Sequence, residues 1–595
     1  MPTDGFARSP VTRRRFLGAG VAATCVALPR WSQAQGRAAD APEGVRVLRA
    51  KPGTAPLRGA DHSPTPVWGY DGTVPGPVLR VKRGQELHVR LINELPEETT
   101  LHWHGVRLPN AMDGVPHLTQ APVAAGGSFD YRFKVPDAGT FWYHPHQYAS
   151  EQLDRGLSGM LIVEEPEPVA ADRDVVLVLD DWRLKPDGAN DEASFRSFHD
   201  AAHAGRIGTH FTVNGAPAIQ ITAKQNERLR LRVVNAANAR VMPLRFERVR
   251  VTVMAIDGQP AEPFEPREGR VTLGPGNRVD LFVDCTLEPG ASAPIMLQDA
   301  RAEVSLGRVV CEAGAPVRTA PLSDPKPLPP NPLPARIDFR NAHRLDVPLD
   351  GGAMSQMMAD AMRAGREIPG HGIDPRARLW TMAGQASSGH HGPPLFSVKR
   401  GRTVMPAFAN KTAWPHGMHL HGHHFRLLDN LDDGWKPFWL DTVLMGPRET
   451  ARIAFVADNP GKWMIHCHML EHHDTGMGAW FEVTSAGQAN ARARGGFARN
   501  ISGSRRGSMS PTRRSRPASA SPRWCASAHT RRCAAGPMHT SATEAPGTRD
   551  AVRQGSASRS VRLSRDDGTT HRAGYSGPGP QARRVERLPP AIPQG

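Results

Sequence analysis

Residues 129–135 read Phe129-Asp130-Tyr131-Arg132-Phe133-Lys134-Val135, so that apolar and charged side chains alternate without a break. Successive side chains of a strand point to opposite faces, and this alternation therefore predicts a half-buried β-strand. The segment Leu229-Arg230-Leu231-Arg232-Val233 repeats the pattern and predicts a second such strand. Glycine and proline interrupt these runs at short intervals, and long amphipathic helical patterns are scarce. The sequence therefore predicts an all-β protein built from β-sandwiches.

An internal repeat predicts how many sandwiches there are. The openings are Val81-Lys82-Arg83-Gly84 leading to Asn93, Ala223-Lys224-Gln225-Asn226 leading to Asn235 and Asn238, and Val398-Lys399-Arg400-Gly401 leading to Asn410. Three copies of one strand-turn-strand opening indicate three related domains. We place them at 45–166, 170–312 and 337–487, and a proline-rich stretch at 313–336 is expected to form an extended linker.

The charge of the chain is concentrated at its ends. The 595 residues carry 74 Lys and Arg against 58 Asp and Glu, a net charge of +16, but residues 489–595 alone contribute +15 and residues 36–488 sum to −3. The nearly neutral body argues against a nucleic-acid-binding core. Residues 488–595 are rich in Arg, Ser and Pro without an apolar period, which predicts a disordered C-terminal tail.

The N-terminus has the pattern of an export signal. Thr12-Arg13-Arg14-Arg15-Phe16-Leu17 precedes a small apolar run, and Ser32-Gln33-Ala34 offers small residues for cleavage. The apolar run is shorter than the roughly 20 residues of a membrane span. Residues 1–35 are therefore predicted to be a twin-arginine signal peptide that directs the protein to the periplasm through the twin-arginine export machinery. No transmembrane segment is expected.

Four histidine motifs carry the chemistry. They are His102-Trp103-His104-Gly105, His144-Pro145-His146, His416-Gly417-Met418-His419-Leu420-His421-Gly422 and His466-Cys467-His468-Met469-Leu470-Glu471-His472, the last followed by Met477. In a strand, residues i and i+2 share a face, so each His-x-His presents two imidazoles side by side. Two imidazoles, one thiolate and one thioether are the ligands of a blue-copper site, and His416, Cys467, His472 and Met477 supply that set.

These motifs resemble, in order and completeness, the four copper-binding motifs of the multicopper oxidases, over about residues 45–485. The resemblance implies three Greek-key cupredoxin-like β-sandwich domains and four copper ions. It assigns the type 1 copper to His416, Cys467, His472 and Met477, and the type 2 copper to His102 and His419. It assigns the type 3 pair to the remaining six histidines, which are His104, His144, His146, His421, His466 and His468. The implied reaction is oxidation of a small reductant, either Cu(I) or a phenolic compound, coupled to reduction of dioxygen to water.

The resemblance also indicates further site residues. Asp113 matches an acid that the family places near the trinuclear cluster, although an Asp-Gly turn explains it as well. At His473 the similar cuprous-oxidase branch carries an acid, so that a proton relay there would have to use an imidazole. Asp441 falls where the family has an acid close to the type 1 histidines; it could orient a phenol, bind a cuprous ion or be a turn residue.

A methionine-rich segment bears on the substrate. Thioethers suit Cu(I), and the segment either forms a cuprous site or packs as a short amphipathic helix. Its residues are Met354, Met357, Met358, Asp360 and Met362. A copper nitrite reductase and a cupredoxin-like scaffold without oxidase activity are the alternative functions, and the complete set of ligands disfavours both. Cys285 and Cys311 could pair or remain thiols, and a monomer is expected.

Overall fold

The computed structural model describes residues 44–299, 302–355, 378–428 and 435–485, all of which belong to one compact unit. The predicted signal peptide and tail lie outside these residues, and so do Met357, Met358, Asp360 and Met362. Within the described ranges, none of the helices has the length and apolar character that a bilayer crossing needs. The chain forms three Greek-key cupredoxin-like β-sandwiches, as the sequence predicts.

The first sandwich packs the sheet β2-β1-β4-β6 against the sheet β3-β8-β7-β5. Its strands are β1 (Arg46–Ala55), β2 (Thr65–Tyr70), β3 (Gly76–Lys82), β4 (Glu86–Asn93), β5 (His102–His104), β6 (Ser128–Lys134), β7 (Gly139–His144) and β8 (Gly159–Glu164). Strand β6 contains the alternating segment, and Tyr131 and Phe133 are buried while Arg132 and Lys134 are exposed. A 3-10 turn (Asn110–Met112) and helix α1 (Ala149–Asp154) complete the domain.

The second sandwich has sheets β10-β9-β12-β17-β14-β15 and β11-β19-β18-β13-β16. Its strands are β9 (Arg173–Trp182), β10 (His210–Val213), β11 (Ile219–Ala223), β12 (Arg228–Asn235), β13 (Met242–Phe246), β14 (Arg250–Ile256), β15 (Gln259–Phe264), β16 (Arg270–Leu273), β17 (Arg278–Asp284), β18 (Ser292–Gln298) and β19 (Glu303–Cys311). Helix α2 (Phe198–Ala202) and 3-10 turns Glu192–Ser194 and Arg267–Gly269 lie between strands. Cys285 and Cys311 are free, buried thiols.

The third sandwich has sheets β21-β20-β24-β29-β26-β27 and β22-β31-β30-β25-β28, and β23 also pairs with β31. Its strands are β20 (His343–Gly351), β21 (Trp380–Met382), β22 (Ser387–Ser388), β23 (Ser397–Lys399), β24 (Arg402–Asn410), β25 (His416–Leu420), β26 (Phe425–Leu428), β27 (Trp435–Leu440), β28 (Thr442–Met445), β29 (Thr450–Ala457), β30 (Gly461–Cys467) and β31 (Met477–Thr484). Helix α3 (Leu470–Asp474) lies between β30 and β31. One apolar core runs through the first and third sandwiches.

The three repeated openings end in asparagines that make the same hydrogen bonds. The side-chain amide of Asn93 donates to the carbonyls of Glu97 and Val123, and its oxygen accepts from the amide two residues on. Asn235 and Asn410 each bridge two loop carbonyls and accept from the amide two residues on in the same way. Each asparagine therefore joins the loop after its strand to a segment 30 to 38 residues further along the chain.

The prediction of a half-buried strand at residues 229–233 is wrong in one respect. All of β12 is buried, including Arg228, Arg230 and Arg232. Arg230 and Arg232 both contact Asp280, and Arg232 also donates to the Thr140 hydroxyl of the first sandwich at 3.0 Å. The arginine face is covered by a neighbouring domain and neutralised by carboxylates, a circumstance that alternation along one strand cannot indicate.

Candidate metal centres

Two pairs of antiparallel strands bring the histidine motifs together. In the first sandwich His102 of β5 lies opposite His144 of β7, and in the third sandwich His419 of β25 lies opposite His466 of β30. The alternation of a strand places the motif partners on the same side, and Trp103 points the other way into the apolar core. Two different domains thus present imidazoles towards one another.

Eight buried imidazoles form this cluster. They are His102, His104, His144, His146, His419, His421, His466 and His468. The rings of His104 and His419, from different domains, stack at 3.7 Å between centroids, and the Nε2 atoms of His421 and His466 lie 3.1 Å apart. Several triplets, such as His146 with His421 and His466, have candidate ligand atoms within 4.8 Å of one another.

The chemistry of the cluster fits metal ions. Buried polar atoms nearly always have a hydrogen-bond partner. Among the described residues, six cluster histidines have ring nitrogens without a partner. One nitrogen is unpartnered in His102, His104, His144 and His419, and both nitrogens are unpartnered in His146 and His468. Orphaned imidazole nitrogens that converge in a buried space are the donors that a metal ion would satisfy.

Burial keeps seven of the cluster imidazoles neutral, which metal binding requires. Desolvation is the largest cause, and neighbouring imidazoles add to it. The pKa is lowered for His419 and lies well below its ordinary value for His104, His144, His146, His421, His466 and His468. Near neutral pH each of these rings therefore keeps a lone pair available.

Asp113 and His473 both lie beside the cluster. The Asp113 carboxylate is buried, 3.0 Å from Nδ1 of His421 and 3.3 Å from Nδ1 of His102. The His473 ring lies 4.6 Å from that of His466, and its Nδ1 is 3.1 Å from the Asp474 carboxylate. Both side chains therefore border the cluster.

Asp441 is not where the sequence analysis placed it. It is fully buried on the cluster side, where its carboxylate is 3.1 Å from Nε2 of His104 and pairs with Arg278 at 2.9 and 2.5 Å. Although burial alone would raise the pKa of this carboxyl, Arg278 and His104 hold it well below its ordinary value. A residue without access to solvent cannot orient a phenol, and Asp441 instead fixes the His104 ring.

A second centre lies on the other face of β30. Cys467 points away from its neighbours His466 and His468, and its sulfur is 3.6 Å from Nδ1 of His416 and 3.7 Å from Nδ1 of His472. The two Nδ1 atoms are 3.1 Å apart. Met477, at the start of β31, is fully buried. Burial raises the pKa of the Cys467 thiol to about 12, so a bound cation would be needed to draw off its proton.

Hydrogen bonds fix both imidazoles of this second centre. Nε2 of His416 is 2.9 Å from the Thr412 hydroxyl, and Nε2 of His472 donates to the main-chain carbonyl of His203 at 2.7 Å. A carbonyl can only accept, so Nδ1 of His472 keeps its lone pair towards Cys467. Burial lowers the pKa of His472 to about 4. Trp380 packs against the ring, with centroids 4.2 Å apart.

The second sandwich contributes residues that the sequence analysis did not identify. Arg278 and Asp257 are buried behind the cluster, and the His203 carbonyl holds His472. Arg278 is the first residue of β17, a strand that also contains Asp280 and Asp284, so its charge does not distinguish it in the sequence. His203 holds His472 through its main-chain carbonyl, and a carbonyl is present in every residue, so the sequence gives no indication of this contact.

A cavity of about 260 Å³ adjoins the cluster and opens towards solvent. Its lining includes His117, His146, His390, His473 and Asp474. His423 packs against Phe455 and Trp463 and belongs to the core rather than to a site.

The fold and the site together define a class: a cupredoxin-like metalloprotein with one imidazole-thiolate centre and one polyimidazole centre between two domains. Comparison with known proteins gives the family. Family models described as multicopper oxidase match residues 54–168, 173–291 and 370–487. The chain belongs to the multicopper oxidase family.

Individual relatives agree with this assignment. The chain is similar to the multicopper oxidase MmcO of Mycobacterium tuberculosis, with 30% identity over 80% of this chain and 97% of that protein. It is 28% identical to a copper resistance protein A homolog of Pseudomonas syringae pv. tomato, over 68% of this chain and 87% of the relative. A crystal structure of a multi-copper oxidase from Pseudomonas thermotolerans superposes with a TM-score of 0.64 and 35% identity, over 74% of this chain and 99% of that one.

Proposed function

We propose that this oxidoreductase couples one-electron oxidation of a reductant at a type 1 copper to four-electron reduction of dioxygen to water at a trinuclear copper cluster. His416, Cys467, His472 and Met477 would hold the type 1 ion. His102 and His419 would hold the type 2 ion, and the other six cluster histidines the type 3 pair. The four ions would supply one-electron transfer at the first centre and oxygen binding and reduction at the second.

One observation supports this coupling above all. His466, Cys467 and His468 are consecutive, yet the cysteine faces one centre and its two neighbours face the other. The backbone of three residues therefore connects a thiolate ligand to two cluster ligands through covalent bonds alone. A structural pair of metal sites would have no need for this adjacency.

Protons must reach the cluster, since reduction of dioxygen to water consumes four. The Asp113 carboxylate contacts His421 and His102, and it can therefore deliver protons to the cluster on the buried side. His473 adjoins the cavity and contacts Asp474, so it can take a proton from water there and hold it beside His466. The cavity would also admit dioxygen and release water.

The reductant is proposed to be Cu(I), with phenolic compounds as the second candidate. The methionine-rich segment favours a soft cation. Similarity to a protein named for copper resistance agrees with a role in copper handling. A role in copper handling also agrees with the N-terminal twin-arginine pattern, and we propose that the protein is exported to the periplasm by that route. We further propose that it acts as a monomer.

Oxygen uptake by the copper-loaded full-length protein tests the proposal. We expect one dioxygen consumed for every four Cu(I) ions oxidised, without hydrogen peroxide, and an intense blue band with a near-ultraviolet shoulder. Parallel runs with a phenol, each with and without added Cu(II), identify the preferred reductant. A blue protein that consumed no oxygen with either reductant would be an electron-transfer or scaffold protein, and the proposal would be wrong.

A further inference from the structure

A pair of histidines lies on the outer side of the type 1 centre. His199 belongs to α2 and His203 follows that helix, and their rings stack with centroids 4.1 Å apart and planes 14° from parallel. The His199 side chain is 78% exposed. The lone pair of an imidazole nitrogen lies in the ring plane, so the stacked rings do not both face one point as they stand. The exposed His199 side chain is free to rotate out of the stack, and two histidines four residues apart can then bind one ion. Imidazole is a ligand for copper.

The hydrogen bonds prepare His203 as a ligand. Its Nδ1 lies 2.7 Å from the main-chain carbonyl of His199, which can only accept, so Nδ1 carries the proton. The neutral ring then has its lone pair on Nε2. Asp200, between the two histidines, pairs with Arg183, and its carboxylate also lies 3.8 Å from Nδ1 of His199. The orientation resembles that of metal-bound imidazoles, whose second nitrogen donates to a carbonyl or carboxylate.

The same residue is connected to the type 1 centre. The main-chain carbonyl of His203 accepts the hydrogen bond from Nε2 of His472 at 2.7 Å. From the His203 ring to the His472 ring, the path consists of the bonds of one residue and one hydrogen bond. Electrons can therefore pass from an ion on His203 to the type 1 ligand without crossing solvent.

The start of the methionine-rich segment lies at this place. The amide of Ala353 donates to the carbonyl of Ala202 at 2.6 Å, and the Trp414 indole donates to the Ala353 carbonyl at 3.3 Å. The Trp414 ring also packs edge-on against His203 at 5.1 Å. Met354 comes next, and its side chain is 81% exposed. The backbone that precedes Met354 is thus fixed against the end of α2, next to His203.

We propose that His199 and His203, with Met354, form the docking site at which Cu(I) gives up its electron. Each Cu(I) that binds there would give one electron, by way of the His203 carbonyl and the His472 ring, to the type 1 ion that His472 would hold, and would leave as Cu(II). Four such events, with four protons and one dioxygen, yield two waters. This inference rests on the proposed oxidase function and gives it a substrate site that Asp441, being buried, cannot provide.

The test uses copper-loaded full-length protein and Ag(I), a soft cation that binds like Cu(I) but is not oxidised. Calorimetric titration with silver nitrate in chloride-free buffer should show one fewer bound Ag(I) in the His199→Gln/His203→Gln variant than in the parent. The kcat/KM for Cu(I) should fall at least tenfold relative to that for a phenol. His62→Gln, at an exposed histidine between β1 and β2, should match the parent in both measurements.

The variants are designed to remain folded. Substitution of the His203 side chain keeps the main-chain carbonyl that holds His472, and His199→Gln alone changes an exposed residue. The blue absorption of each variant checks the type 1 centre. Equal Ag(I) binding and equal Cu(I) turnover in parent and variant would overturn the inference, and so would a parallel fall for Cu(I) and phenol. If the parent consumed no oxygen, the proposed function would be wrong. The silver titration would still test the site, because it measures binding and does not need oxidase activity.

Discussion

Replacement of Asp441 by Asn tests how the protein holds the polyimidazole cluster. Asp441 and Arg278 are both completely buried and joined by two contacts of 2.9 and 2.5 Å. Removal of one partner of a buried ion pair leaves an uncompensated charge and costs about 3–5 kcal/mol. Asp257 remains 3.5 Å from the same guanidinium and can take over part of the neutralisation. We therefore expect a loss near the lower end of that range.

Urea unfolding of the copper-free protein at pH 7 measures this loss. Glu86→Gln is the matched control, because its partner Arg132 is 63% exposed and the pair should be worth less than about 1 kcal/mol. If Asp441→Asn destabilised the protein no more than the control does, the buried pair would not be structurally important and the reasoning would be refuted.

The same variant should also weaken metal binding selectively. Asp441 accepts from Nε2 of His104 and so directs its Nδ1 into the cluster. Loss of such an outer contact typically lowers metal affinity about 10–100-fold. We expect a chelator to remove the near-ultraviolet shoulder of the variant before its blue band, because the described contacts of Asp441 do not include the Cys467 centre.

Three further predictions concern the electron path, the substrate and pH. Cys467→Ser should abolish the blue band and turnover with every reductant, because a hydroxyl cannot replace the thiolate; substantial oxidase activity in this variant would show that the type 1 assignment is wrong. Substituting Leu for all four of Met354, Met357, Met358 and Met362 keeps the side-chain volume nearly constant. If the segment binds Cu(I), the rate of Cu(I) oxidation should fall while that of a bulky phenol stays the same or rises. Parallel changes in the two rates would indicate packing instead. In the copper-free protein, buried ligand histidines such as His472, with a pKa of about 4, stay neutral while the unfolded chain takes up protons below pH 6.5. Stability should therefore fall as the pH drops from 6.5 towards 4, by up to about 1.4 kcal/mol per pH unit for each such group. Equal free energies of urea unfolding at pH 7 and pH 5 would contradict this.

Local sequence patterns were sufficient where the relevant physics is local. Strand alternation identified β6, and the repeated openings identified three sandwiches, because each opening ends in an asparagine that accepts a hydrogen bond from the amide two residues on. The two-residue spacing of the histidine motifs also determined that partners share a face. These properties depend on neighbours within a few residues of one another.

Only the tertiary structure shows which distant residues contact these strands and motifs. The arginines of β12 have the spacing of a solvent face, yet another domain covers them and carboxylates neutralise them. Asp441 follows a strand as a turn residue would, but it is buried against Arg278 from a different sandwich. The His203 carbonyl reaches His472 across 269 positions of the chain. Contacts between distant segments depend on how whole domains pack, and one sequence carries no periodic signal of that packing.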